Sequence, residues 1–88
     1  MPGFIDLSAM IRTGDQIIIT EFGLRLKNIR KAKKLSLRGF AAIADMDFAQ
    51  IDKMEKGDTN PTLTTILRLA EALHVDPTEL IKGLSALK

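Results

Sequence analysis

Between Ser36 and Gly57, two short stretches of helical periodicity are separated by only three residues, Asp45-Met46-Asp47. That spacing constrains the fold more than any other feature, because so short a connection forces the two segments to pack against each other and against further helices. In the first segment Phe40, Ala41 and Ala44 face inward, two of them small so that another backbone can approach. Ser36 caps its start, and Gly39 costs about 1 kcal/mol relative to Ala, which packing has to offset. Asp45 is among the few non-glycine residues that tolerate positive φ, and Met46 can tuck inward after it. Asp47-Phe48-Ala49-Gln50 is a capping-box variant that opens the second segment, where Ile51 and Met54 face the core and Gly57 is a natural C′ glycine.

Helical patterning extends on both sides. Phe22, Leu26 and Ile29 form an apolar stripe at i, i+4 and i+7 that defines a first helix from Glu21. Lys27, Arg30, Lys31 and Lys34 follow helical spacing on another side, and the helix stops around Lys34-Leu35. After the loop Asp58-Thr59-Asn60-Pro61, Thr62 caps a fourth helix with Leu63, Ile66, Leu67, Ala70 and Leu73 as its inner face. Asp76-Pro77-Thr78-Glu79 is a start signal for a fifth, which carries Leu80, Ile81 and Leu84. The expected fold is all-α, a compact five-helix domain over residues 21–84 with a tail at 85–88. Residues 1–20 read as an extended arm. The β-branched run Ile17-Ile18-Ile19 has strand propensity but no partner strand in this chain, so it pairs with another copy, packs as an extended segment, or stays disordered.

Composition removes several function classes. A chain of 88 residues has room for one core. Without cysteine there is neither a disulfide framework nor a thiolate metal site, which favours a reducing, cytoplasmic setting. A single histidine, His74, leaves no paired imidazoles for catalysis and no neighbouring metal ligands, so it reads as a surface residue near the end of the fourth helix. With no Trp or Tyr there are few platforms for stacking unpaired bases. No apolar run approaches the roughly 18 residues of a membrane span, and no secretory leader is evident. Neither an enzyme nor a small-molecule site is expected, and no cofactor.

The net charge of +2 hides a lopsided distribution. From Phe22 to Ala44 there are seven bases and no acid (Arg25, Lys27, Arg30, Lys31, Lys33, Lys34 and Arg38), which leaves six bases and all eleven acids elsewhere. Such a molecule can turn a basic side toward a polyanion while its acidic parts keep it soluble.

Two short helices around Asp45-Met46-Asp47, with a small residue before the turn and apolar residues after it, form a helix-turn-helix signature. From Glu21 to about Lys82 the chain resembles the lambda-repressor/Cro-like helix-turn-helix family. The resemblance is carried by Leu24-Arg25-Leu26-Lys27-Asn28-Ile29-Arg30, by Met54-Glu55-Lys56-Gly57-Asp58-Thr59-Asn60-Pro61, by the small Ala41, and by the anchors Met46, Ile51 and Met54. It implies a lambda-repressor-like DNA-binding domain and an Arg30–Glu55 ion pair tying the first helix to the third.

On the third helix, Ala49, Lys53 and Lys56 align opposite Ile51 and Met54, so this outer row would enter the major groove. Asp47, Phe48, Ala49, Gln50 and Lys53 are the expected DNA-contacting residues on or just before it: Gln50 for adenine, Lys53 for guanine, Phe48 or Ala49 for a thymine methyl. Arg38, Lys56 and the Thr59-Asn60 loop are expected at phosphates. Asp52 either pairs with Lys56 at i+4 or accepts from cytosine. The chain departs from the family pattern at Leu37, where Gln is usual, at Asp45, which replaces the turn glycine, and at Phe48 and Ala49, which replace polar reading residues. Two functions follow. The first is a sequence-specific regulator, a repressor, on a double-stranded DNA operator, acting as a homodimer through the fifth helix, the tail or the Ile17–Ile19 run. The alternative is a protein-interaction module, such as an antitoxin or anti-regulator, that uses Leu37 and Phe48.

Overall fold

The first helix is far longer than the stripe beginning at Phe22 predicts. In the computed structural model, which describes residues 2–84 and the side chains of residues 15–84, α1 runs without a break from Pro2 to Ala32. Where the sequence leads to an extended arm over residues 1–20, the described backbone from Pro2 onward is helical, and no break separates residues 20 and 21. A β-branched residue costs a helix only a few tenths of a kcal/mol. An unpartnered strand would leave its backbone donors and acceptors without internal bonds. The Ile run also continues the inner stripe, since half-buried Ile18 and Ile19 sit four and three residues ahead of buried Phe22. The tail at 85–88 lies outside the described residues.

The other helices are α2 (Leu37–Ala44), α3 (Phe48–Glu55), α4 (Leu63–Leu73) and α5 (Thr78–Ile81), and no strand occurs among the described residues. α3 packs on α1 and α2, α2 also on α4, and α5 closes against α1 and α4. Their starts follow the caps in the sequence. Ser36 Oγ accepts from the Gly39 amide at 3.0 Å, Asp47 Oδ1 from Ala49 at 3.2 Å, Thr62 Oγ1 from Thr65 at 3.3 Å and Asp76 Oδ1 from Thr78 at 2.9 Å.

Four of the helices stop by one device. Lys34, Asp45, Gly57 and His74 have φ of 61, 56, 77 and 57°. Around each, the next amide reaches back to the carbonyl five residues earlier: Leu35 to Arg30, Met46 to Ala41, Asp58 to Lys53, Val75 to Ala70, all at 2.9–3.2 Å. This left-handed stop satisfies carbonyls that a helix end leaves orphaned. In three cases the residue after it is apolar and packs against the core, namely Leu35, Met46 and Val75. Burial of that side chain holds the preceding residue in a left-handed conformation, which Asp45 tolerates and Lys34 adopts at a cost.

The core joins Phe22 and Leu26 of α1, Phe40, Ala41 and Ala44 of α2, Ile51 and Met54 of α3, and Leu69, Ala70, Ala72 and Leu73 of α4, with Leu80 below. The inner face of α4 needs correction. Leu63 is 71% and Leu67 46% exposed, and the stripe runs Ile66, Leu69, Ala70, Leu73 instead. Both sets obey i, i+3, i+4, i+7 spacing, so period alone cannot choose between them. Ile81 is likewise exposed, and Leu84 is buried beyond the end of α5.

α1 and α3 approach closely at Gly23. A Cβ there would collide with the carbonyl oxygens of Met54 and Glu55, so only glycine lets the two backbones approach. Gly57, just past α3, lies close to Thr20, where a Cβ would be tight but not in collision, and its φ of 77° is the stronger reason for glycine.

Candidate nucleic-acid interface

The outer surface of α3 is assembled from both flanking turns. Asp47 caps the helix and Gly57 ends it, and burial of Ile51 and Met54 fixes its rotation, so Ala49, Gln50, Lys53 and Lys56 are turned to solvent. Phe48 remains 39% exposed at the first position. The carboxylate of Asp47, expected among the DNA-contacting residues, is engaged with the Ala49 amide and contributes as a cap.

The cations on this face differ in how free they are. Lys56 Nζ lies 2.9 Å from Asp52 Oδ2, and this hydrogen-bonded carboxylate raises the Lys56 pKa. Its charge is thereby partly offset by Asp52. Lys53 is exposed and has no ion-pair partner among the described residues. From the start of α2, Arg38 reaches over the turn, and its Cζ sits 4.4 Å from the centroid of the Phe48 ring. Leu37, one residue earlier, packs against the core and is only half exposed. The apolar surface expected from Leu37 and Phe48 together is thus reduced mainly to one ring, and that ring is stacked with a guanidinium.

Behind the face stands a rigid tie. Arg30 Nε donates to Glu55 Oε2 at 2.6 Å and its Nη2 to Oε1 at 3.0 Å, while Nη1 reaches the Leu35 carbonyl at 2.8 Å. Both side chains are buried, and the bonded carboxylate raises the already high Arg30 pKa. One guanidinium therefore joins α1, its own terminating turn and the end of α3. Burial also removes Arg30 from the solvent-facing basic row to which its spacing assigned it. Arg25 is withdrawn as well, since its Nη1 donates to the Glu79 and Lys82 carbonyls at 3.0 and 2.9 Å. Of the seven clustered bases, Lys27, Lys31, Lys33, Lys34 and Arg38 remain for the outside.

The Thr59-Asn60 loop follows α3 directly, with Asn60 exposed and Thr59 half-buried. It is anchored by a residue the sequence did not single out: Gln16 Nε2 donates to the Gly57 carbonyl at 3.1 Å and to Thr20 Oγ1 at 3.0 Å. Read as extended arm, Gln16 carries no signal for this role, because the contact exists only once α1 continues past Glu21. Among the described residues no three His, Asp or Glu side chains converge to hold a metal ion, and no helix is long and apolar enough to cross a membrane.

Residues 26–80, which span the last turns of α1 through α5, match the profile of the helix-turn-helix family. The chain belongs to this family, in its lambda-repressor/Cro-like branch. Among solved structures, this helix-turn-helix chain is similar to the restriction-modification controller protein C.AhdI from Aeromonas hydrophila. The two are 39% identical with a TM-score of 0.69, over 70% of this chain and 94% of that one. It is also similar to an HTH_3 family transcriptional regulator from Vibrio cholerae, at 27% identity and a TM-score of 0.73, over 75% of this chain and 37% of that one. A curated relative, the HTH-type transcriptional regulator DdrOP3 of Deinococcus deserti, is 30% identical over 59 residues. The matched part is 67% of this chain and about half of that protein's length, 46%.

Proposed function

We propose that this protein is a cytoplasmic transcriptional regulator that binds double-stranded DNA sequence-specifically and represses by occupying its operator, without cofactor or catalysis. The observation that carries this reading is the outer face of α3. Gln50 and Lys53 project from it into solvent, Lys53 without an intramolecular counter-ion among the described residues, and a helix of this width fits the major groove. In this reading Gln50 bonds adenine, Lys53 bonds guanine, and Phe48 or Ala49 meets a thymine methyl. Lys56 and the Thr59-Asn60 loop hold phosphates, and Arg38, from the start of α2, lies beside the reading residue Phe48. The names of the relatives support the assignment, since two are transcriptional regulators and one is a restriction-modification controller.

One domain of this size buries modest area on DNA, so a homodimer on a two-fold site supplies the remaining affinity. Ile81 of α5 and Ile17 of the Ile17–Ile19 run are exposed apolar residues on the segments proposed to meet a second copy. Against the alternative, a protein-interaction module, stands the partial burial of Leu37 against the core, which leaves less of the patch that reading needs exposed.

Selection from a random duplex pool, followed by titration at two salt concentrations, tests the proposal. A recovered palindrome, with log K falling by roughly 0.9 per phosphate contact per decade of salt, is the expected result. Lys53→Ala then changes the preferred sequence instead of weakening all sequences alike. Absence of binding at low salt would overturn DNA recognition and favour the protein-partner reading.

A further inference from the structure

Arg38 is exposed and, among the described residues, donates no hydrogen bond and forms no ion pair, yet its position is defined by the Phe48 ring 4.4 Å from Cζ. A guanidinium over a ring has its face engaged and its N–H donors still unsatisfied. Phe48, for its part, is an exposed aromatic at the first position of α3, partly uncovered despite Arg38. Together the two side chains place an apolar edge and a fork of donors side by side at the end of α3 that would enter the groove.

Resting on the DNA-binding reading above, we propose that Arg38 and Phe48 act as one unit that reads a C5-methylated pyrimidine followed by guanine. In the major groove a pyrimidine C5-methyl is an apolar knob, and the guanine edge presents N7 and O6 as paired acceptors matched to an Arg fork. Adjacent bases on one strand stack at van der Waals distance, so a ring and the guanidinium resting on it are spaced to meet successive base edges. Phe48 packs on the methyl and Arg38 bonds the guanine. Stacking is what turns Arg38 from the phosphate backbone, where its place at the start of α2 would otherwise direct it, toward base edges. A ring without a polar edge cannot distinguish thymine from 5-methylcytosine by hydrogen bonding, so the chemistry recognised is the methyl group itself.

The test uses the full chain and the operator recovered from the random pool, with the pyrimidine before guanine varied as thymine, deoxyuridine, cytosine or 5-methylcytosine. Thymine should exceed deoxyuridine about fourfold, and 5-methylcytosine should exceed cytosine by a similar factor, the effect of burying one methyl group. The ratio of thymine to 5-methylcytosine identifies which base the site prefers. Replacing the guanine by 7-deazaguanine, which lacks the N7 acceptor, should weaken wild-type binding about tenfold. Phe48→Ala should bind thymine and deoxyuridine alike, and 5-methylcytosine and cytosine alike. Phe48→Leu should retain the methyl preference but lose discrimination against 7-deazaguanine, because Arg38 no longer has its platform; thermal melting checks that both variants fold. Equal wild-type affinity for thymine and deoxyuridine, or a methyl preference that survives in Phe48→Ala, overturns the proposal while leaving DNA binding intact. Failure to bind any duplex overturns the DNA-binding reading itself.

Discussion

His74 and Lys34 occupy left-handed backbone at helix ends, a conformation their own side chains do not favour. The conformation costs an L-residue roughly 1–2 kcal/mol, and glycine avoids most of it while gaining unfolded-state entropy. His74→Gly is therefore expected to raise stability by about 0.5–1 kcal/mol, read as an increase in melting temperature; a decrease would mean that the imidazole makes a contact of its own. Asp76 presents a different single-residue effect. The Thr78 amide, and secondly its hydroxyl, hold the Asp76 carboxyl below its ordinary value near 3.8. A depressed acid contributes stability that is full above the ordinary carboxylate range and is lost as pH falls through the folded-state value. Melting from pH 5 down to pH 2 should accordingly show a shallower loss for Asp76→Asn, which keeps the acceptor and abolishes the titration. Caps such as Ser36, Asp47, Thr62 and Asp76 were legible because their side chains act on amides two or three residues away. The left-handed stops at Lys34 and His74 were not, because what imposes them is burial of the following Leu35 and Val75 in a core formed by distant residues.

Two ties hold α3 against α1, and each has a distinct failure. Glu55→Ala leaves the buried Arg30 guanidinium without its bidentate partner, with an expected loss of about 3–5 kcal/mol in denaturant unfolding. Replacing both residues by apolar ones of similar size should recover most of it, since the cost lies in the stranded charge. If the single variant melts like wild type, the pair contributes nothing structural. Gly23→Ala acts through backbone spacing: its methyl meets the Met54 and Glu55 carbonyls, which side-chain repacking cannot move. Helix propensity alone predicts stabilisation by almost 1 kcal/mol, so a measured destabilisation of about 1–3 kcal/mol decides for the close approach. At this scale the order and approximate limits of α2 to α5 were readable from spacing and caps. The inner face of α4 and the length of α1 were not. Leu63 and Leu67 fit the helical period as well as Leu69 does, and Ile17–Ile19 favour a strand by local propensity until Gln16 finds the Gly57 carbonyl.

Across the whole molecule, the basic segment proves to serve two purposes. Arg30 and Arg25 bind α1 to the end of α3 and to α5, and the remaining five bases stay outside. Salt should therefore act on DNA affinity much more than on folding, because the structural guanidinium of Arg30 is buried and poorly screened. If the protein acts as a homodimer through α5, Ile81→Lys should shift sedimentation toward the monomer and weaken operator binding more than tenfold, with little change in monomer melting since Ile81 is 44% exposed. A variant that remains dimeric would move the interface elsewhere. By itself the sequence determined what depends on neighbours within a turn or two: the helical class, the helix-turn-helix spacing, the caps, and the residues that α3 turns outward. Tertiary structure alone decided which clustered cations are free, which leucines of α4 are inside, and that Arg38 rests on Phe48. Those outcomes depend on which side chains from distant segments compete for the same buried space or the same polar partner, and no local period encodes that competition.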